Sequence, residues 1–316
     1  MKWDRIIMKT GAWTIAVAIL LRLGTGPVGA DAVRWMESPA MGAVLLFLGT
    51  GKLPQLSVPE DPEPTADTSE TGVSEPEEVP TLPAFSEVPP LQATCSYTVD
   101  LEPMLRSPLA WDLTIPEPTI LIFHTHTTES YSGTEGYRSM DEQENMVAVG
   151  DVLAKELTAA GICVIHDRTI HDYPSYNGSY TQSRKTVQEY LEMYPTIQLV
   201  LDIHRDAVED KNGNQLPMTA QPGVALLMLV VGTDAGGFSH PLWEQNLTAA
   251  VKLHARLEQL LPGICRPISL RASRFNQDLS PGMLIVEVGA AGNTREEALA
   301  AARVLAQGIV DLRYGS

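Results

Sequence analysis

The feature that most constrains this 316-residue chain is a set of uninterrupted apolar runs, each ending in a polar cluster. Thr119-Ile-Leu-Ile-Phe123 runs into His124, Ile197-Gln-Leu-Val-Leu201 into Asp202, and Met283-Leu-Ile-Val286 into Glu287. Short apolar runs without polar alternation suit strands buried on both faces, and such strands belong to parallel sheets covered by helices. Between them lie stretches of helical period. Asp141 to Ala160 carries Met146, Val149, Val152, Leu153 and Leu157 on one face; Tyr180 to Tyr194 is ended by Pro195, and Leu242 to Leu261 is stopped by Pro262-Gly263. Ile162 to Ile165 and Val224 to Val231 read as further strands. A last helix runs to about Leu312, opened by the capping-box pattern Thr294-x-x-Glu297. This alternation predicts an α/β fold with a mostly parallel sheet flanked by helices.

The folded region does not fill the chain. Lys2, Arg5 and Lys9 precede an apolar run from Ala12 to Leu21, and Val28-Gly-Ala30 follows as a small-x-small pattern. The run falls short of the roughly 20 residues that span a bilayer. It fits a signal peptide or a retained signal anchor, with Met41 to Leu48 lying near the membrane, so residues 1–52 are expected to export the chain and to contact the membrane. Residues 53–93 form an acidic spacer rich in Pro, Glu, Ser and Thr, and no Lys or Arg occurs between Lys52 and Arg106. Such a segment cannot bury enough apolar surface to offset its chain entropy and is expected to be disordered. Residues 94–316 are left as the folded domain. The net charge of −17 argues against a nucleic-acid partner, which would need clustered Lys and Arg. Cys95, Cys163 and Cys265 are odd in number and lack metal-type spacing, so no disulfide framework is expected; Cys163 reads as a core thiol.

Functional groups in open α/β sheets collect at the carboxyl ends of strands. The first such end carries His124-Thr-His126-Thr-Thr-Glu129. His126 and Glu129 have the H-x-x-E spacing that a turn can bring to one metal, and neutral imidazole and carboxylate are usual ligands of catalytic zinc. His124 is a third ligand candidate or a group behind the ligands. The second end carries Asp202-Ile-His204-Arg205-Asp206. His204 can complete a His/Glu/His set with one position left open. Asp202 can accept its other N–H, and Arg205 can hold a substrate carbonyl or carboxylate. The third is Glu287, a carboxylate inside an apolar strand; desolvation would raise its pKa and suit it to general-base work. The plainer alternatives are loop histidines without a shared purpose, a structural Asp–Arg pair and a salt-bridged Glu287. His166, His171, His240 and His254 have no such company and read as surface or core residues. No G-x-S-x-G elbow accompanies Ser130 or Ser280, and no phosphate-binding glycine loop occurs.

The motifs His124-Thr-His-Thr-Thr-Glu-Ser-Tyr131, Asp202-Ile-His-Arg-Asp206, Asn276-Gln-Asp-Leu-Ser280, Glu287-Val-Gly289 and Asn293-Thr-Arg-Glu-Glu-Ala298 together resemble the stage II sporulation protein P family, from about Pro118 to the C-terminus. The resemblance implies a catalytic domain like that of the zinc N-acetylmuramoyl-L-alanine amidases. It implies an extracytoplasmic peptidoglycan hydrolase that is membrane-anchored or secreted, cleaves between N-acetylmuramic acid and L-alanine, and also acts as an endopeptidase on cross-links during engulfment. Stage II sporulation proteins D and M are implied as partners. Carried over by motif, His126, Glu129 and His204 would bind Zn2+ and Glu287 would be the base; the residues' own chemistry adds Arg205 on the oxyanion. His124, Asp202, Asn276 and Gln277 would lie behind the ligands or against substrate. Glu142 also lies near where the amidases keep a ligand carboxylate, but a carboxylate is common at a helix start for dipole reasons alone, so Glu129 is preferred. A peptidase acting mainly on cross-links and an inactive wall-binding scaffold are the alternatives.

Overall fold

The computed structural model describes residues 84–315. The expected export segment at residues 1–52, and the spacer as far as residue 83, lie outside the described residues. Among the described residues, no helix is long and apolar enough to cross a membrane.

The strands are β1 (Leu91–Ala93), β2 (Ile120–Phe123), β3 (Val164–His166), β4 (Leu199–Asp206), β5 (Thr219–Gln221), β6 (Val224–Ala225), β7 (Leu227–Gly232), β8 (Ile268–Arg271) and β9 (Met283–Ala290). The helices are α1 (Glu102–Arg106), α2 (Met146–Ala159), α3 (Ser179–Met193), α4 (Trp243–Leu260) and α5 (Arg295–Asp311). Seven strands form one sheet in the order β1-β8-β7-β9-β4-β2-β3, and β5 and β6 form a separate hairpin. Every pairing in the large sheet is parallel except β7 with β9. The fold is the expected one: a mostly parallel sheet with helices on both faces.

Strand parity decides what each face carries. Ile120, Ile122, Leu199, Leu201, Ile203, Leu284 and Val286 point into the main core, where they meet Met146, Val149 and Leu153 of α2, Leu247 and Leu253 of α4, and Ala298, Ala301 and Leu305 of α5. The alternate residues Leu121, Phe123, Val200 and Met283 pack beneath Val187 and Tyr190 of α3. Asp202, His204 and Glu287 continue the second face beyond the reach of that packing.

Several boundaries differ from the sequence reading. Helix α2 starts at Met146, because Asn145 caps it by accepting from Val147 N at 2.9 Å and Asp141 holds the preceding residues in a turn. The run from Val224 to Val231 breaks at Leu226, which gives β6 to the hairpin and β7 to the sheet. Helix α5 has the expected capping box between Thr294 and Glu297. Residues 84–93, assigned to the spacer on composition, already belong to the fold. Leu91–Ala93 pairs with Ile268–Leu270 and Phe85 packs against the core; Pro89 and Pro90, which counted toward the spacer composition, are tolerated beside an edge strand. Cys163 is half-buried rather than a core thiol.

Gly150 of α2 sits against two histidines: a Cβ there would lie 2.3 Å from His166 Nε2 and 2.9 Å from His124 Nε2. Alanine in a helix ordinarily gains about 1 kcal/mol over glycine. Here Gly150→Ala is expected to destabilise by about 1–3 kcal/mol instead, since the added methyl overpacks the core. Thermal denaturation checks the sign, and a melting temperature at or above wild type would show that the histidines move aside freely.

Candidate active site

Sheet order assembles the site from three distant segments. Strands β2, β4 and β9 are neighbours and run parallel, so their carboxyl ends lie side by side. In register, His204 of β4 stands opposite Glu287 of β9, and Asp202 opposite Phe123 of β2. The turn after β2 folds back over these ends. Glu129 N donates to His126 O at 3.0 Å, and Tyr131 Oη donates to Val288 O at 2.8 Å, which fastens the turn to β9. Gly289 has φ +69, and its missing Cβ leaves room for Asn293, whose Oδ1 accepts from Ala290 N at 2.8 Å just beyond Glu287.

His126 and Glu129 both lie against His204, and each of the three is at least nine-tenths buried. The His126 and His204 rings are 5.3 Å apart, and His204 Nδ1 lies 3.5 Å from Glu129 Oε2. On its other side His204 Nε2 is 2.8 Å from Asp202 Oδ1, near enough for an ion pair though outside hydrogen-bond alignment. Asp202 is itself fixed: Thr125 donates to it from N at 2.7 Å and from Oγ1 at 2.6 Å. Burial alone would lower the His204 pKa, but the Asp202 and Glu129 carboxylates outweigh it and hold the pKa well above the usual value. Burial keeps His126 neutral by lowering its pKa. Burial opposes ionisation of Glu129, yet His204, Arg205 and His126 hold it below the ordinary carboxylate range. Glu287 behaves oppositely: burial, reinforced by Glu129 and Asp206, pushes it up to about 8 against the pull of His204.

His126 Nδ1 and Glu287 Oε2 are buried with no hydrogen-bond partner. Buried polar atoms are rarely left so unless a ligand or ion serves them. Two imidazoles and an ionised carboxylate, with a further carboxylate beside them, fit the donor chemistry of a catalytic zinc with an open position. Glu142, the rival for the ligand carboxylate, is elsewhere: it is half-exposed and paired with Arg168 at 2.7 Å.

Several of these expectations are corrected by the geometry, while Asn276 stays beside the site, lining the groove next to Tyr180. His124 points away from the pocket; its Nδ1 is 3.1 Å from Ile203 O and its Nε2 is 2.9 Å from His166 Nε2, under Gly150. Burial, with the His166 ring next to it, drives its pKa down to about 3. Arg205 is committed to the loop above the site, donating to Ser130 O at 3.0 Å and Tyr137 O at 3.2 Å and lying 3.7 Å from Glu129 Oε1. It positions Glu129 and is not free for an oxyanion. Gln277 is used up on the end of β7, accepting from Gly232 N at 2.7 Å and donating to Val230 O at 2.9 Å. Asn276 ties its loop to α3 through Tyr180 O at 2.8 Å and Ser183 Oγ at 3.2 Å. His166 and His171 have company after all, the first on His124 and the second on His124 O at 2.7 Å and Thr186 Oγ1 at 2.9 Å.

The loop after β3, the start of α3 and the turn after β2 add residues that the sequence reading did not single out. Tyr176 stacks on His126 with ring centroids 4.2 Å apart and planes 7° off parallel, and Tyr180 meets the same ring edge-on at 5.7 Å. Arg138 caps the outer face of Tyr176 at 4.7 Å while pairing with Asp172 at 2.8 Å. Burial, then the carboxylates of Asp202, Glu287 and Glu129, raises the Tyr180 pKa and keeps its hydroxyl neutral. Nothing local in Tyr173-Pro-Ser-Tyr176 signals this role, which exists only because β3 lies beside β2.

Comparison with known proteins adds lineage to this geometry. The stage II sporulation protein P of Bacillus subtilis (strain 168) is 29% identical over 205 residues, covering 59% of this chain and 49% of that protein. The chain thus matches about half the length of that curated relative. Among solved structures, the N-acetylmuramoyl-L-alanine amidase AmiC2 of Nostoc punctiforme superimposes with a TM-score of 0.39 at 14% identity, covering 61% of this chain and 95% of that one. The catalytic domain of the CD27L endolysin targeting Clostridia Difficile gives 0.40 at 14% identity, covering 61% and 97%. The profile of the stage II sporulation protein P (SpoIIP) family matches residues 55–310, and the chain belongs to that family.

Proposed function

We propose that this chain is an extracytoplasmic, zinc-dependent peptidoglycan hydrolase that cleaves the amide between N-acetylmuramic acid and the L-alanine of the stem peptide during sporulation. The observation that carries the reading is the convergence of His126, Glu129 and His204 beside Glu287, with His126 Nδ1 and Glu287 Oε2 both unsatisfied. A zinc ion held by the first three would supply Lewis acidity at the scissile carbonyl. The protein's own residues account for the rest. Asp202 supplies the charge partner of the His204 ring, and Arg205 holds the turn that carries Glu129. Glu287, raised to about 8, is poised to take a proton from the attacking water and return it to the leaving nitrogen.

Two grooves of ≈ 500 Å³ each flank the aromatic wall over His126, one beside Tyr176 and Arg138 and the other beside Tyr180 and Phe238. Tyr173, Tyr176 and Phe238 are exposed there. An extended substrate with a sugar arm and a peptide arm needs two such channels, and exposed rings suit sugar faces.

The test is to load the full chain with zinc and digest purified peptidoglycan. Free N-terminal L-alanine in the products supports the amidase reading. Products carrying only new ends within cross-links would make it a cross-link peptidase, and zinc-free wall binding without products would make it a scaffold. The ligand carboxylate is tested separately. Glu129→Gln is expected to weaken metal binding at least tenfold, whereas Glu142→Gln leaves it unchanged; metal titration with the reverse order would transfer the role to Glu142.

A further inference from the structure

Away from this site, the end of α4 and the turn after it gather a second set of metal-type groups. His254 and Glu258 are four residues apart on one helix face, and Gly263, at φ +82, reverses the chain so that Cys265 returns to them. A ring nitrogen of His254, a carboxylate oxygen of Glu258 and Sγ of Cys265 all lie within 4.8 Å of one another. His254 is 2% exposed, and neither of its ring nitrogens has a hydrogen-bond partner. The main chains of Arg266 and of His254 itself face the ring but lie outside hydrogen-bond alignment. An imidazole buried with both nitrogens unsatisfied is costly in a structural core.

The neighbours are fixed in place. Glu258 accepts from Cys265 N at 2.7 Å and from Gly263 N at 2.8 Å, which sets its carboxylate beside the thiol with lone pairs to spare. Burial keeps His254 neutral, the form that ligates. Burial and then the Glu258 charge push the Cys265 thiol well above its usual range. A nearby divalent cation would reverse that, releasing the thiol proton to solvent and leaving a thiolate ligand. A cavity of ≈ 370 Å³ opens against all three residues and is walled opposite by the segment around Phe85 and Pro90.

We propose that His254, Glu258 and Cys265 form a second divalent-metal site of the zinc class, separate from the hydrolytic pocket, with a fourth position facing the cavity. Imidazole and thiolate select zinc and similar borderline ions, whereas magnesium and calcium require oxygen-rich sets. The ion ties the end of α4 to the segment entering β8.

Cobalt(II) reads this site alone, because the hydrolytic pocket contains no sulfur. The metal-free full chain, reloaded with cobalt(II), is expected to show a thiolate-to-cobalt charge-transfer band in the near ultraviolet. The band should survive in His204→Ala and vanish in Cys265→Ser, whose peptidoglycan hydrolysis stays at wild-type level. Zinc content should fall from roughly two ions per chain to roughly one in Cys265→Ser. A folded wild type without the band overturns the proposal, as does a band that persists in Cys265→Ser. A band with only about one ion per chain supports this site and counts instead against the hydrolytic one.

Discussion

Glu287→Gln is expected to slow peptidoglycan hydrolysis by about 10²- to 10⁴-fold, the range for loss of a general acid–base group. That corresponds to about 3–5 kcal/mol of barrier. Metal content and KM should be unchanged, because Glu287 is outside the His126, Glu129 and His204 set and the carboxamide keeps the side chain's shape. The melting temperature should be equal or higher. The native carboxylate carries a buried, unpartnered Oε2 and a pKa raised to about 8, so its ionised form is poorly accommodated in the fold. A neutral amide avoids burying that charge. This pattern of intact metal, intact stability and lost turnover separates a proton-transferring group from a structural one. A variant within about threefold of wild type would not lose the barrier contribution expected of a base, and proton transfer would have to be assigned to another group.

How much of this was legible in the chain follows from how far each signal reaches. The strands and helices were readable because apolar period and caps are local; Thr294 and Glu297 are a clear case. The polar strand ends were readable for the same reason, and they put His126, Glu129, His204 and Glu287 on the page before any fold was known. Their meeting was not readable. His204 faces Glu287 only because β9 inserts between β7 and β4, against an antiparallel neighbour, and no local pattern encodes that order. Side-chain commitments were the weakest inference. Arg205 looks free in sequence, and its partners are carbonyls of residues 130 and 137, delivered by a turn that closes over it. Gln277 looks like a site residue, yet both ends of its amide are spent on β7. His124 and His126 are two apart in sequence, but one ends at a second histidine beneath α2 and the other under Tyr176. His254 lacked company only because Cys265 returns through a turn at Pro262-Gly263.

His204→Ala is expected to act in two ways at once, and the pair of effects is diagnostic. Losing a ligand should abolish stoichiometric zinc at the hydrolytic pocket and bring turnover to background, since two remaining ligands do not hold a catalytic ion. Independently of metal, the variant leaves Asp202 fully buried with its charge partner gone, keeping only the Thr125 hydrogen bonds. Breaking a buried pair from one side costs about 3–5 kcal/mol, so the metal-free variant should unfold at lower denaturant than metal-free wild type. Pairing the two changes removes the ambiguity. His204→Ala combined with Asp202→Ala deletes the orphaned carboxylate and should recover part of the lost stability while activity and zinc at the hydrolytic pocket stay absent. If the single variant binds as much zinc as wild type, His204 is not a ligand; if the double variant is less stable than the single one, Asp202 serves Thr125 and the turn after β2 more than it serves the histidine.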